Sequence, residues 1–465
     1  MIAIFRFRKL APDMTNGPIL PQLLLYALPL AASGILQLLY NAADIIVVGQ
    51  YADETALAAV TSTGSLINLI VNLFIGLAVG AIALTARYCG AQDSAGIHRA
   101  VHTAISLSLI GGVLIGVLGF FAANPLLQLM DSPDGVIDQA TLYVQLYFLG
   151  MPAIMVYNFG AGILNATGDT RRPLVILACS GLVNVGLNLL LVIVFDLDVA
   201  GVAIATSVSQ YISAVAVTIL LLRSNSATRL YPSQLRIYKK ELLEIIRIGI
   251  PSGLQGFVFS LSNVLIQSTI NSFGAVAIAG SGAAANIEGF AYTAMNAFSS
   301  ATLSFTSQNV GARKPHRINR IYLVCLSCVF VAGSLMVLLI QIFKEPLLGI
   351  YSPEPEVIAK GIIRIEYMMT LYFTVGMMEV GAGMLRGLGF SITPMIISLL
   401  GACGLRILWI YTVFPLNPTL ECLFISYPVS WILTFLTHLV AFLIVRPRVF
   451  RRLTREAETL AATDS

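Results

Sequence analysis

The sequence predicts an all-α integral membrane protein, with twelve transmembrane helices in two six-helix lobes related by a pseudo-two-fold axis along the membrane normal. Three observations carry this. The 465 residues are 57% hydrophobic and only 11% charged, with a mean hydropathy of +0.86, whereas soluble domains run at roughly 25% charged. The basic residues fall on alternate hydrophilic segments: the N-terminal tail, the stretches near Arg87, Arg171, Arg223–Arg247, Arg313–Arg320, Arg386 and Arg446–Arg455 hold 23 of the 27. Finally, the chain repeats itself at a shift of about 221 residues.

Apolar stretches lie at about 19–49, 57–84, 101–122, 140–165, 174–195, 199–222, 245–272, 276–306, 321–343, 362–385, 392–414 and 420–445. Each is long enough to cross a hydrocarbon core of roughly 30 Å. Ahead of the first, Arg6, Arg8 and Lys9 lack a cleavable pattern and read as a cytosolic tail. The side opposite the basic segments carries only Lys344, Lys360 and Arg364, with Arg406 left inside a span. The positive-inside rule then places both termini in the cytoplasm of a multi-pass cell-membrane protein. Asp53, Glu54, Asp131, Asp134, Asp138, Asp196, Asp198, Glu354 and Glu356 fall outside, consistent with it.

Phe159–Ile176 and Val380–Ile397 share seven of eighteen residues, including Gly160, Gly162, Gly168 and Pro173 against Gly381, Gly383, Gly389 and Pro394. Thr85, Gly90 and Ala91 superpose on Thr306, Gly311 and Ala312 at the same shift, and Pro29, Gly34 and Asn41 on Pro251, Gly256 and Asn263 at 222. A duplicated unit of six spans enters the membrane twice from the same side, and such lobes are expected to enclose a midplane cavity. The expected organisation is an N-terminal lobe over 1–222, a basic, polar cytoplasmic linker over 223–244, and a C-terminal lobe with a basic tail over 245–465.

Asp44 lies deep in the first span, where an ionisable group is costly and is read as functional by default. Gln37, Tyr40, Asn41 and Asp44 recur at i, i+3, i+4 and i+7 and share one helix face. In span five Asn184 and Asn188 are four apart, and Thr206 follows in span six. A carboxylate with amide and hydroxyl oxygens suits a hard-cation cage or a tuned protonatable Asp; the alternative is hydrogen-bonded glue between packed helices. Glu379 is the deep acid of the second half, and its repeat counterpart is Asn158, while Asp44 falls opposite Ile266. Glu379 is expected either to meet substrate or a second cation, or to pair with Arg386 or Arg406. Glu288, Tyr292 and Asn296 form another polar wall, though Glu288 lies near enough a span end to snorkel.

Met368, Met369, Met377, Met378 and Met384 with Tyr367 and Tyr372 suit an adaptable apolar pocket or ordinary core packing. The six cysteines lie in or beside spans, so no disulfide framework is expected, and Cys325 and Cys328 read as small residues at a helix contact. The four histidines make no metal set, and no phosphate-cradling glycine loop points to ATP. No metal, cofactor, enzymatic activity or nucleic-acid partner is expected. The partners expected are small-molecule substrates and membrane lipids, for a monomer.

Pro29 and Tyr40-Asn41-x-x-Asp44, Gly90-Ala-Gln, Gly168-Asp-Thr170, Gly201-Val-Ala-x-Ala-Thr206, Gln308-Asn-x-Gly-Ala312 and Gly383-Met-Leu-Arg386-Gly, in that order over nearly the whole chain, resemble the multidrug and toxic compound extrusion (MATE) transporters of the bacterial NorM/DinF kind. The resemblance implies a proton- or sodium-coupled antiporter that exports bulky, often cationic compounds by alternating access. It assigns coupling to Asp44, helped by Asn184, position 188 and Thr206, and matches Glu379 to an acid that some members place in the second lobe; the reading of the residues themselves adds Asn41 to the coupling set, and Glu288, Tyr40, Gln37 and Asn158 to Glu379 as candidates for substrate or a second cation. Asn188 stands where many members have Asp, and Asn165 where Arg is common. A lipid-linked oligosaccharide flippase of the same superfamily is the alternative; it favours a strongly cationic cavity, and the deep charges here are mostly acidic.

Overall fold

The computed structural model describes residues 12–51, 54–129 and 134–463. Arg6, Arg8, Lys9, Asp53 and Asp131 lie outside the described residues. Every regular element among the described residues is helical. The first half holds α1 (Ile19–Tyr51), α2 (Glu54–Gly90), α3 (Ser94–Leu129), α4 (Asp134–Leu149), α5 (Met151–Ala166), α6 (Arg171–Asn188) and α7 (Asp198–Leu222). The second holds α8 (Lys239–Asn271), α9 (Ala275–Gly311), α10 (Pro315–Ile342), α11 (Lys344–Gly349), α12 (Pro355–Arg364), α13 (Phe373–Gly387), α14 (Ile392–Ser398), α15 (Leu405–Thr412) and α16 (Leu420–Thr463).

Among the described residues nine helical stretches are long and apolar enough to cross a membrane, and eleven if α4 with α5 and α12 with α13 each count as one bent span. The remaining predicted span is α9, whose 37 residues reach roughly 55 Å at 1.5 Å per residue. Its many Ser, Thr, Asn and Gly residues keep it out of that count. Apolar side chains such as Phe121, Leu182, Val194 and Ile342 are exposed, which suits hydrocarbon as the solvent.

The repeat predicted from sequence is written into the backbone. Gln92 and Arg313, 221 residues apart, both have φ of 54°, and Gly168 and Gly389, again 221 apart, have φ of 94° and 95°. Each pair ends repeat-related helices with the same left-handed cap: the N–H groups of Asp93 and Lys314 donate to the carbonyls of Tyr88 and Asn309, and those of Asp169 and Phe390 to Leu164 and Leu385, at 2.9–3.1 Å. The bends correspond too. Span four turns by 45° after Leu149 and span ten by 46° between Met369 and Phe373.

The chain divides into two compact units, one holding Ala32–Gly253 and the other Asp13–Ala31 with Leu254–Ser465. The sequence puts the lobe boundaries at 222 and 245, whereas the compact units divide inside α1 and α8. The start of α8 belongs to the first unit because glycines let it touch α2 backbone to backbone. A Cβ on Gly76 would sit 2.1 Å from the Gly253 nitrogen, and one on Gly80 2.3 Å from the Ile245 oxygen. The start of α1 belongs to the second unit by the corresponding exchange onto α9. Tyr26 shares a 2.8 Å hydrogen bond with Ser304 and stacks edge-on against Phe305, and the Asn309 amide donates to the Met14 carbonyl at 2.8 Å.

Two further expectations change. The connecting segment is shorter than predicted, because α8 starts at Lys239, and it is fastened to α3: Tyr231 and Tyr238 N–H groups donate to His102 Nε2 and Thr103 Oγ1, both at 3.1 Å. The basic tail is not separate from the last span, since α16 runs 44 residues without interruption.

Candidate functional site

Within the first unit, α1, α6 and α7 bring four of the sequence-predicted residues together. Asp44 is 8% exposed, Asn184 4% and Asn188 0%. Asn188 Nδ2 donates to Asp44 Oδ1, and Thr206 Oγ1 donates to Asp44 Oδ2 at 3.3 Å. Asn184 Nδ2 reaches Thr206 Oγ1 at 3.4 Å, and Asn188 Nδ2 also approaches Asn184 Oδ1 at 3.5 Å. Asn188 closes α6 just before a π-helical turn at Leu189–Val194, a distortion that frees backbone positions and often marks functional helices. The Asn188 Oδ1 is buried with no hydrogen-bond partner. No basic residue forms an ion pair with Asp44 among the described residues.

The carboxylate is thus held by neutral groups alone, with an idle amide oxygen beside it. Such a set stabilises a small hard cation or a proton at Asp44 without a fixed positive charge to compete. Tyr143 and Tyr147 of α4 lie within electrostatic range of Asp44. Sequence reasoning missed both, because aromatic residues in an apolar run carry no pattern that separates a site from the core.

The other predicted members of that helix face do not join the cluster. Asn41 and Gln37 are exposed. Tyr40 instead packs its ring over Gly181, where a Cβ would lie 1.8 Å from the ring, and donates to the Ala178 carbonyl at 3.2 Å. It is a wedge between α1 and α6. Asn158 is bound within its own helix, donating to the Ile154 carbonyl at 2.8 Å.

The second unit separates its two deep acids. Glu288 does not snorkel: Arg364 grips both its oxygens, at 2.8 and 2.9 Å, and both residues are buried. That bidentate fork neutralises the acid. Glu379 makes no ion pair among the described residues; Arg386 and Tyr292 lie within electrostatic range of it. The Arg386 guanidinium donates to Gln255 Oε1 at 2.7 Å instead. Arg406, left inside a span by the sequence reading and offered as a partner for Glu379, pairs with no acid among the described residues. It is 2% exposed, donates to Ser430 Oγ at 2.9 Å, and lies 4.2 Å from the centre of the Tyr427 ring and 5.6 Å from that of Trp431, so ring faces offset its charge. Of the methionines, Met368, Met369, Met378 and Met384 belong to the packed core of this unit.

Known proteins extend this picture. The chain is 26% identical over 396 residues to a Bacillus subtilis (strain 168) protein named "Probable multidrug resistance protein YpnP", covering 85% of this chain and 88% of that one. It is 25% identical over 330 residues to a Shewanella oneidensis protein named "FAD transporter", covering 70% and 73%. In fold it matches an outward-facing MATE transporter of the MOP superfamily with a TM-score of 0.86 at 23% identity, over 96% of this chain and 99% of that one. The MatE family model matches twice, at residues 29–190 and 251–412, one match for each copy of the repeat. With both halves matched and the two-copy architecture in place, this chain belongs to the MatE family of multidrug-efflux-type membrane transporters.

Proposed function

We propose that this chain is a cation-coupled antiporter that exports bulky organic compounds by alternating access, with Asp44 as the group that takes up and releases a proton or sodium ion. The observation that carries the reading is the buried Asp44 carboxylate, held among the described residues by Asn188 and Thr206 alone, with the unpartnered Asn188 Oδ1 beside it. Loading a cation there removes the cost of an uncompensated buried charge and so favours one of two access states over the other. Asn184 supports the cage through Thr206. The relatives' names extend to drugs and to a flavin nucleotide, so substrates are sought among bulky aromatic compounds of both charge signs. Those relatives do not favour the flippase alternative. Glu379, buried yet without an ion-pair partner among the described residues, is the group we assign to contacting a cationic substrate or a second cation.

Reconstitution into liposomes under an imposed proton gradient or an imposed sodium gradient, with a mixed panel of fluorescent compounds, tests this reading. Wild-type protein is expected to accumulate or expel at least one compound under one of the two gradients. Transport unaffected by either gradient would sink the coupling reading.

A further inference from the structure

The end of α16 carries chemistry that neither coupling nor export uses. The helix is 44 residues long, roughly 66 Å at 1.5 Å per residue, about twice the hydrocarbon thickness. Beyond Arg446 its extension has two faces. Val449 and Leu453 are buried in the core of the second unit, 3% and 1% exposed, so this part is fastened down. Arg448, Arg451, Arg452 and Arg455 recur at i, i+3, i+4 and i+7 on another face, and all four are exposed. Together with Arg313, from the turn between α9 and α10, and with Glu456 they line a cleft of about 600 Å³.

Five guanidinium groups share this cleft with one carboxylate. Glu456 lies 3.8 Å from Arg313 and 3.6 Å from Arg452, both loose, exposed pairs of little strength. Arg448, Arg451 and Arg455 have no carboxylate partner among the described residues. Guanidinium groups suit phosphate oxygens because their paired N–H groups match two oxygens at once. The charge distribution places this end of the chain on the cytoplasmic side, where the membrane surface is negative and basic residues next to a span attract acidic lipids. We propose that this cleft binds the phosphodiester headgroup of an acidic phospholipid of the cytoplasmic leaflet, with Arg448, Arg455 and the terminal N–H groups of Arg451, whose Nε donates to the Pro447 carbonyl, as the donors without a carboxylate partner and Glu456 as an internal competitor that occupies Arg313 and Arg452.

The test uses the full chain in mild detergent, with native mass spectrometry counting bound phosphatidylglycerol and diphosphatidylglycerol against phosphatidylcholine. Wild-type protein is expected to retain at least one acidic lipid, with a preference over phosphatidylcholine of about tenfold or more. The triple variant R448Q/R451Q/R455Q is expected to lose that preference, while K239Q/K240Q, which removes charge from the start of α8, keeps it. Glu456→Gln is expected to raise retention, because it releases two guanidinium groups without disturbing the buried face. Should the triple variant unfold in phosphatidylcholine, the Glu456→Gln result decides alone. Equal retention by wild type and triple variant, equal loss in K239Q/K240Q, unchanged retention in Glu456→Gln, or displacement of the lipid by millimolar inorganic phosphate would each overturn the proposal.

Discussion

Asp44 and Glu288 are both acids buried in helical spans, and their surroundings give them opposite behaviour. Glu288 is locked to Arg364 through two hydrogen bonds, so changing one partner strands the other charge in the interior. Glu288→Gln is expected to destabilise the protein by about 3–5 kcal/mol, and Glu288→Gln with Arg364→Met to recover most of that loss; thermal unfolding in detergent measures both. If the single variant melts like wild type, the pair carries no weight. Asp44 has neutral partners only among the described residues, so Asn188→Ala is expected to leave folded protein in the membrane while weakening the ion dependence of transport. A shift in the cation concentration giving half-maximal efflux, with expression unchanged, is the readout. At this scale the Asp44 cluster is legible from sequence because the Asn184 and Asn188 spacing fixes a common face. That this face meets Asp44, 144 residues away, follows from the family resemblance and not from spacing; the partner of Glu288 has no such motif, and no local pattern joins it to Arg364, 76 residues away.

At the scale of elements, the helix ends repeat more faithfully than the helix interiors. Gly168 and Gly389 hold the same left-handed φ, and Gln92 and Arg313 share another. An alanine at Gly168 or Gly389 must adopt a conformation costing roughly 1–2 kcal/mol for an L-residue, so each substitution is expected to reduce stability by about that much, seen as a lower melting point. A glycine at Arg313 is expected to be tolerated or slightly stabilising. The contact between α2 and α8 is less forgiving. A Cβ at Gly253 would lie 2.2 Å from the Leu73 carbonyl oxygen, so Gly253→Ala is expected to reduce folded yield in the membrane, read by size-exclusion profile. Spans, caps and repeat are readable from composition and recurrence because they follow local rules. The exchange of the starts of α1 and α8 between units is not, since a stripe of glycines says that a helix is approached closely but not by which partner.

For the molecule as a whole, duplication supplied two similar helical units whose chemistry then diverged. The position of Asp44 is taken in the second copy by Ile266, fully buried in that unit's core, and the position of Glu379 is taken in the first by Asn158, bonded to its own helix. Cysteine-accessibility labelling checks the membrane topology: Ser226→Cys in the connecting segment and Ser352→Cys after α11 are expected to react from opposite sides of the membrane. Reaction from the same side would break the twelve-span reading. The most direct test of ion coupling is efflux by the Asp44→Asn protein, reconstituted at wild-type density and driven by the gradient that drives wild type. Efflux is expected to fall to the protein-free background while the variant stays folded in the bilayer; gradient-driven efflux at the wild-type rate would contradict a coupling role for Asp44.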